Sequence, residues 1–326
     1  MASTSTDQDR LTIRRARADV TRFRHGDRLA YLLTFAFASA IIVITGLLFF
    51  ELYKSSALAR QTFGLNFLTG TTWDPVALEF GALPFIYGTL ITSALALILG
   101  VPLGIGASIF LAELAPPKIS DAFAFLIELL AAVPSVIYGL LAIFTLVPLV
   151  RDFIAPALQS TLGFLPLFQG PSYGVGLLTA GTVLAIMILP FIISISREVL
   201  LAVPREQREA SLALGATRWE TALHVVVPYA KAGIIGSIFL ALARALGETM
   251  AVTMVIGNDP RINWSLFAPG YSIAAVIANE FAEAPGELYR AALIELALVL
   301  FCITIIVNAF ARLLIVVTTR RATAHS

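Results

Sequence analysis

Residues 83–111 read LPFIYGTLITSALALILGVPLGIGASIFL, and none of their side chains carries a charge. A helix needs about 20 apolar residues to cross the hydrocarbon of a bilayer, because lipid offers the backbone no hydrogen-bond partner. The run is long enough, and it lacks the alternation of a barrel strand. It therefore predicts a transmembrane helix, in which Pro102 is expected to produce a kink or a break into two helices.

Five further stretches have the same character, at roughly 29–50, 122–147, 174–195, 233–256 and 291–317. Of all 326 residues, 58% are hydrophobic and 13% charged, whereas soluble domains carry about 25% charged residues. This composition excludes a water-soluble protein, and the net charge of +1 excludes a strongly basic nucleic-acid binder. The sequence predicts an all-α polytopic membrane protein with about six transmembrane helices.

Arginine and lysine are concentrated at the N-terminus, in the even-numbered loops and at the C-terminus. The positive-inside rule therefore places both termini in the cytoplasm. The first apolar stretch has about 22 residues, against about 7–15 in a signal peptide, so we expect a retained anchor. The predicted organisation is a basic cytoplasmic tail without periodicity (1–28), an anchor helix (29–53), an extracytoplasmic loop (54–82), a transmembrane core (83–317) and a cytoplasmic C-terminus (318–326).

Sequence signatures of catalysis are missing from this chain. No Gly-x-x-x-x-Gly-Lys-Ser/Thr loop is present to cradle phosphates, so ATP hydrolysis by that route is not expected. The single cysteine, Cys302, lies in an apolar run, and the three histidines are not at metal-ligand spacing. We expect a transport protein that is not an enzyme and holds no metal.

Residues 203–228 form the most informative loop of the chain. Pro204 suits a helix start, Gly215 suits a helix C-terminus, and Thr217 to Glu220 is a capping box for a second helix predicted to end before Pro228. The second helix has an apolar stripe at i, i+3, i+4 and i+7, formed by Trp219, Ala222, Leu223 and Val226. Two interpretations remain open: a helix pair packed on its own spans, or a short helix that docks into a groove of a soluble partner.

Two charges interrupt the fifth apolar stretch. Arg244 and Glu248 are four residues apart, so a continuous helix would place them on one face. An arginine facing lipid at the membrane centre costs about 2.5–3.5 kcal/mol, so both side chains must face protein or a wet path. They form either a self-neutralising structural pair or an anion route. Glu295, near the outer end of the last stretch and close to its first residue, is expected to be solvated.

The loop also contains a spaced motif. Glu209-Ala210-Ser211 is followed by three residues, Gly215, nine residues, Val225, one residue and Val227-Pro228. The pattern resembles the EAA loop of bacterial ABC importer permeases, with Ser, Val and Val in place of Ala, Ile and Leu. In that family the loop docks into a cleft of a separate ATPase subunit. The resemblance implies a type I ABC importer permease-like fold with a cytoplasmic helix–Gly–helix coupling loop.

Longer motifs narrow the resemblance. RALGETMAV at 244–252 with VIGN at 255–258, ELLAAVPSVIYG at 128–139, SLFAPGY at 265–271 and VIANEFAEA at 276–284 are similar to the PstC family of phosphate importer permeases. They extend from about residue 80 to 290. The sister PstA family shares the EAA loop and an Arg-Ala-x-Gly-Glu, but the Leu and the Thr-Met-Ala-Val favour PstC.

The resemblance implies a permease subunit of the bacterial plasma membrane that forms half of a pathway for inorganic phosphate and binds no cofactor itself. Its implied partners are a homologous PstA-like permease, two copies of a PstB-like ATPase that uses ATP and Mg, an extracytoplasmic PstS-like phosphate-binding protein and the lipid bilayer. Substrate translocation is assigned to Arg244 and Glu248. The coupling-loop residues are Glu209, Ala210, Gly215, Trp219, His224 and Pro228. The residues of an outer gate or binding-protein contact are Trp264, Tyr271, Glu280 and Glu283.

Two other functions remain as alternatives. An ABC permease for another oxyanion, such as sulfate or molybdate, fits the EAA loop but not the run at 244–252. An ion-coupled secondary transporter would use Arg244 and Glu248 as a substrate and proton relay and would leave the EAA loop unexplained. A membrane enzyme has no candidate nucleophile or metal site.

Overall fold

The computed structural model describes residues 5–323, with side chains for Arg28 and residues 30–314. The chain divides after Lys54 into two compact units. The first contains most of helix α1 (Ser5–Ser55), so the described part of the basic tail, 5–28, is helical backbone that continues into the anchor helix. Residues 1–4 and 324–326 of the predicted termini lie outside the described residues.

The second unit contains the remaining elements. Its α-helices are α2 (Ala57–Phe63), α3 (Asn66–Thr69), α4 (Leu83–Ile109), α5 (Pro117–Ala131), α6 (Ser135–Leu141), α7 (Val147–Leu149), α8 (Ala155–Leu162), α9 (Leu177–Leu201), α10 (Arg205–Ala213), α11 (Arg218–Thr221), α12 (Val227–Leu246), α13 (Met250–Val255), α14 (Ile273–Glu280) and α15 (Glu287–Thr323). Four π-helical turns, at Phe110–Leu114, Ala142–Leu146, Val150–Ile154 and Ala222–Val226, and a 3₁₀ turn at Pro166–Phe168 join them. Strands β1 (Trp73–Asp74) and β2 (Glu79–Phe80) pair antiparallel, with Trp73 opposite Phe80.

Six helical segments of the described residues are long and apolar enough to cross a membrane. They are Ala30–Ser55, Leu83–Leu114, Ser135–Leu162, Leu177–Leu201, Arg218–Leu246 and Glu287–Leu314. The predicted number of spans and the all-α class are therefore confirmed. The bounds of the third and fifth spans differ from the prediction, and in both cases proline chemistry explains the difference.

The third span begins after Pro134, not at residue 122. Helix α5 is a separate element, with Pro116 and Pro134 in extended conformation at its two ends. At about 1.5 Å per residue, its 15 residues reach about 22 Å, which is short of the hydrocarbon thickness. The crossing is made by Ser135–Leu162, where Pro148 and Pro156 occupy first helical turns in which a missing N–H is tolerated.

The second span does not break at Pro102. Helix α4 is continuous from Leu83 to Ile109 with Pro102 inside it, so of the two expected results, a kink or a break, the break is wrong. The helix packs closely along α9, where Gly100 lies against Ile188 and Gly104 against Ile192. Ile188 and Ile192 are fully buried, and this packing holds the helix together across the missing backbone hydrogen bond.

The fifth span begins earlier and ends earlier than predicted. The second helix of the coupling loop does not end before Pro228. It passes through the π-turn Ala222–Val226 and continues as α12 to Leu246, with Pro228 in the first turn of α12. Gly247 ends the helix, and α13 is a separate short helix. The second helix of the coupling loop and the fifth span are therefore one helical segment, Arg218–Leu246.

The buried side chains form three clusters along the bundle. One, at the end that holds the coupling loop, includes Ile109, Leu200 and Val226. A central cluster joins α9 to α12 and α13 and includes Ile188. The third, at the opposite end, is rich in aromatic residues and includes Phe85. Together they fix the relative positions of the second, fourth, fifth and sixth spans.

Gly88 is a point of close backbone contact between α4 and the long loop after α13. A Cβ atom at this position would overlap the carbonyl oxygen of Tyr271. We expect Gly88→Ala to lower the free energy of unfolding by about 1–3 kcal/mol, because backbone on both sides must shift. Thermal unfolding in detergent, followed by tryptophan fluorescence, measures the change.

Gly106, in the same helix, provides the matched control. No atom lies within 4 Å of a Cβ placed there, so Gly106→Ala is expected to be neutral or to stabilise by up to about 1 kcal/mol through helix propensity. Equal melting temperatures for the two variants would contradict the close contact.

Candidate functional site: the coupling loop, Arg244 and the outer loop

The coupling loop has the local structure that the sequence predicts. Helix α10 ends at Ala213, and Gly215 follows with φ +89°, a conformation that glycine adopts without strain. Thr217 and Glu220 form the capping box: the Glu220 backbone N–H donates to Thr217 Oγ1, and the Thr217 N–H donates to the Glu220 carboxylate at 2.8 Å. The turn between the two helices is thus fixed on both sides of Gly215.

The coupling residues assigned from the sequence all lie on the surface of the described chain. They are Glu209, Ala210, Gly215, Trp219, His224 and Pro228. Leu214 at the tip of the loop is 90% exposed, and Trp219 is 52% exposed. The predicted apolar stripe is divided, because Ala222 and Val226 are buried in the chain's own core while Trp219 remains open. The loop therefore packs in part on its own spans, and docking of the exposed part into a soluble partner stays a prediction.

Arg244 and Glu248 do not form the predicted pair on one helix face. Arg244 lies in the last turn of α12, whereas Glu248 follows Gly247, outside the helix. Glu248 Oε1 accepts a hydrogen bond from the Ala251 N–H at 3.3 Å and so caps α13. No salt bridge within the described residues joins the two side chains. The two side chains do not share a helix face because the helix ends between them, at Gly247.

The guanidinium group of Arg244 has an aromatic neighbour instead of an anionic one. Its Cζ lies 4.2 Å from the centre of the Phe191 ring, on α9. Its Nε is buried and has no hydrogen-bond partner. A cation–π contact contributes about 0.5–2 kcal/mol, but it satisfies no N–H donor. The arrangement leaves a positive group with free donor capacity in the last turn of the fifth span.

The contact of Phe191 with Arg244 was not predicted from the sequence, because an aromatic residue next to Pro190 in an apolar run has no feature that distinguishes it from a core residue.

Arg208 and Glu113 were also not predicted from the sequence. Arg208 Nη2 and Glu113 Oε1 are 2.7 Å apart, and both side chains are largely buried. A lone carboxylate at the end of an apolar span was the only available hint of this ion pair.

At the opposite end of the bundle, Glu280 is surrounded by hydrogen-bond donors. Its Oε2 accepts from Trp73 Nε1 at 2.9 Å and from the Tyr289 hydroxyl at 2.5 Å, and its Oε1 accepts from the Tyr271 hydroxyl at 3.2 Å. Burial raises the pKa of Tyr271, so its hydroxyl stays protonated and able to donate. Asn279 Nδ2 donates to that same hydroxyl at 3.0 Å. We call Glu280, Trp73, Tyr271 and Tyr289 the carboxylate cage.

The four outer residues assigned from the sequence fall into two groups. Tyr271 and Glu280 belong to the carboxylate cage, and Tyr271 is buried. Trp264 is 75% exposed, and Glu283 is exposed as well. Glu295 is also buried, and its Oε2 lies 3.4 Å from Arg60 Nη1, so the expectation that it is solvated is wrong.

Comparison with known proteins identifies a family. Residues 100–316 match the model of the family "binding-protein-dependent transport system inner membrane component". The phosphate transport system permease protein PstC of Mesorhizobium japonicum is 48% identical over 90% of this chain and 91% of its own length. The protein of the same name from Haemophilus influenzae is 47% identical, over 86% and 90%. PstC 2 of Mycobacterium tuberculosis is 39% identical, over 90% and 93%.

Solved structures of ABC transporters are also similar. An inward-facing form of the MetNI methionine ABC transporter is 17% identical, covers 74% of this chain and 98% of its own, and has a TM-score of 0.48. An amino acid ABC transporter with histidines is 19% identical, with the same coverage of both chains and a TM-score of 0.47.

The carboxylate cage leads to a stability prediction. Glu280→Gln replaces one acceptor oxygen by an NH₂ group, which faces donors and leaves at least one of them unsatisfied. We expect a loss of about 1–3 kcal/mol of unfolding free energy. Glu283→Gln removes the same charge three residues later, from an exposed side chain, and is expected to change the melting temperature little. If both variants melt at the same temperature in detergent, the cage does not stabilise the loop.

Proposed function

Because this chain belongs to the binding-protein-dependent transport system inner membrane components, and among them to the PstC phosphate permeases, we propose that it is the permease subunit of an ATP-driven importer of inorganic phosphate. In this proposal it is a multi-pass protein of the bacterial plasma membrane with both termini in the cytoplasm. It forms half of the translocation pathway.

The observation that carries the proposal is the unpaired guanidinium of Arg244. Arginine presents several N–H donors in a planar fork that matches the oxygens of a phosphate. An arginine that was permanently neutralised within the protein would have a hydrogen-bond partner for its buried Nε, and Arg244 has none. The resting contact with Phe191 holds the charge without occupying the donors, so an incoming anion meets a group ready to bind it.

Glu248 is assigned a gating role in this proposal. Its carboxylate lies one residue beyond the glycine that ends α12, and it caps a helix of only six residues. As the anion leaves, a small rotation at Gly247 releases the carboxylate from Ala251 and brings it toward Arg244. The negative charge of Glu248 repels the departing anion, and the Arg244–Glu248 pair then neutralises the empty path.

Physical considerations require an energy source for this transport. Phosphate carries one to two negative charges near neutral pH, and each charge moved against an inside-negative membrane costs about 2.3 kcal/mol per 100 mV. Each tenfold concentration gradient adds about 1.4 kcal/mol. A passive pore would therefore lose phosphate from the cell.

The coupling loop provides the connection to ATP. Helix α10 and Leu214, Gly215 and Trp219 present an exposed surface that suits docking into a groove of a PstB-like ATPase, two copies of which bind ATP and Mg. A PstA-like permease forms the other half of the pathway. Trp264 and Glu283 are proposed to contact a PstS-like phosphate-binding protein, and the carboxylate cage with Tyr271 and Glu280 frames the outer gate.

The first test is ATP-dependent uptake of labelled phosphate by vesicles that contain the whole assembly. We expect Arg244→Gln to lower uptake at least about tenfold, since a bidentate charged contact of a few kcal/mol is lost, while assembly and ATPase activity remain. Lys231→Gln, which removes a cation from the same helix, should transport as the wild type does. Normal transport by Arg244→Gln would mean that Arg244 has a structural role only. Wild-type uptake of sulfate in place of phosphate would overturn the substrate assignment.

A second test addresses the coupling loop. Gly215→Asp places a side chain on a backbone at φ +89° and distorts the turn, so we expect it to detach or uncouple the ATPase. Ala213→Asp adds the same charge two residues earlier, on helical backbone, and controls for electrostatics. Co-purification of the ATPase and uptake per ATP are measured. Equal behaviour of the two variants would attribute the effect to charge and not to turn geometry.

A further inference from the structure

Helix α10, which carries the exposed coupling surface, has no side chain of its own in the core. An amphipathic helix normally holds its position by burying an apolar face. Since α10 lacks this anchor, its attachment to the rest of the chain depends on polar contacts. Those contacts determine how a force applied to α10 reaches the spans.

One side chain of α10, Arg208, makes contacts with two other elements. Its Nε and Nη2 donate to both carboxylate oxygens of Glu113, at 3.1 Å and 2.7 Å, in a two-pronged ion pair. Its Nη2 also donates to the Leu200 carbonyl at 2.7 Å, and its Nη1 donates to the Val203 carbonyl. Glu113 belongs to the π-turn that ends the second span, and Leu200 and Val203 lie at the end of the fourth span.

These contacts differ from an ordinary surface ion pair. The side chain of Arg208 is 19% exposed and that of Glu113 is 10% exposed. The two backbone carbonyls lie at the C-terminus of α9, where helix carbonyls lack intrahelical partners, so the arginine also caps that helix. Two of the acceptors are backbone carbonyls, and the other two are the oxygens of a charged carboxylate. Together they hold the planar guanidinium group of Arg208 in one orientation.

The ends of the second and fourth spans are also joined to each other. Arg197 of α9 donates to Ser120 Oγ at 2.9 Å, and Ser120 Oγ donates to the Leu111 carbonyl at 2.7 Å. Arg208 thus binds α10 to two spans that are already joined at this end. Within α10 and α11, Ser211 and Thr221 hydroxyls are 3.0 Å apart and provide a weaker, neutral contact to the fifth span.

We propose that Arg208 and Glu113 form a latch that transmits displacement of the coupling helix to the second and fourth spans. This inference rests on the proposed function, in which an ATPase moves α10. Without the latch, α10 would tilt about its two ends and ATP hydrolysis would continue without moving the pathway. Arg208 acts as a positioning residue and does not contact the transported anion.

The first test compares uptake per ATP hydrolysed in the complete assembly. Glu113→Gln with Arg208→Gln leaves no charge buried without a partner, so this double variant is expected to fold and assemble. We expect uptake per ATP to fall about tenfold, while ATPase activity stays within about twofold of wild type. Arg208→Lys keeps the charge but not the planar fork, and its uptake per ATP is expected to lie between wild type and the double variant. Lys118→Gln, which removes an exposed cation from α5, outside the docking surface, is the matched control and should resemble wild type.

A second readout does not depend on which anion is carried. Spin labels at Leu103→Cys, exposed on α4, and Leu214→Cys, at the tip of α10, report the distance between the coupling helix and the second span. Cys302→Ser removes the native thiol. With the latch intact, the distribution of distances between the two labels should be narrow, and it should not change when a non-hydrolysable ATP analogue is added. In the double variant the distribution should broaden and shift with the nucleotide.

The outcomes separate the latch from the proposed function. If wild-type assemblies fail to take up phosphate but keep the nucleotide-independent label distance, the proposed substrate is wrong and the latch stands. If the double variant keeps both the wild-type uptake per ATP and the narrow distance, the latch is wrong and the proposed function stands. A double variant that loses ATPase activity and uptake equally, with an unchanged distance, would also overturn the latch.

Discussion

A bilayer gives the peptide backbone no hydrogen-bond partner, and the structure of this chain depends on that shortage. The apolar stretches are helical because a helix satisfies its own backbone. The prolines lie where the loss of an N–H is tolerated: Pro134 between two helices, Pro148, Pro156 and Pro228 in first turns after π-turns. Pro102 in α4 and Pro190 in α9 are the exceptions, and there the close packing of α4 on α9 compensates for the missing bonds with side-chain contacts.

Because polar partners are scarce in the interior of the bundle, the contacts of each buried charge show how that charge is compensated. Glu295 is neutralised by Arg60, and Glu113 by Arg208. Glu280 receives three donors from the carboxylate cage. Arg244 alone among these groups has a buried donor without a partner, over an aromatic ring. Leaving a buried donor unsatisfied costs about 1–3 kcal/mol, and the proposed anion route rests on this free donor.

The sequence was sufficient for the class of fold, the number of spans and the turn of the coupling loop, because these follow from local properties: apolar length, Gly215 and the Thr217–Glu220 box. It was insufficient wherever tertiary packing or a helix irregularity decided the result. The third span was displaced because Pro134 separates α5 from the helix that crosses, and the fifth because Pro228 follows a π-turn, which has no sequence signature. The carboxylate cage joins Trp73 to Glu280, 207 residues apart, and no local pattern predicts such a contact.

The corrected fifth span changes how the coupling loop relates to Arg244. With a helix ending before Pro228, a movement at Trp219 would be absorbed in a loop before it reached the membrane. The observed segment Arg218–Leu246 is helical over 29 residues, about 43 Å at 1.5 Å per residue. Because a helix resists bending along its axis, a displacement at its capped start arrives at Arg244 in its last turn. Gly247 then interrupts the helix directly after that turn, so the displacement can alter the distance between Arg244 and Glu248 instead of moving both together.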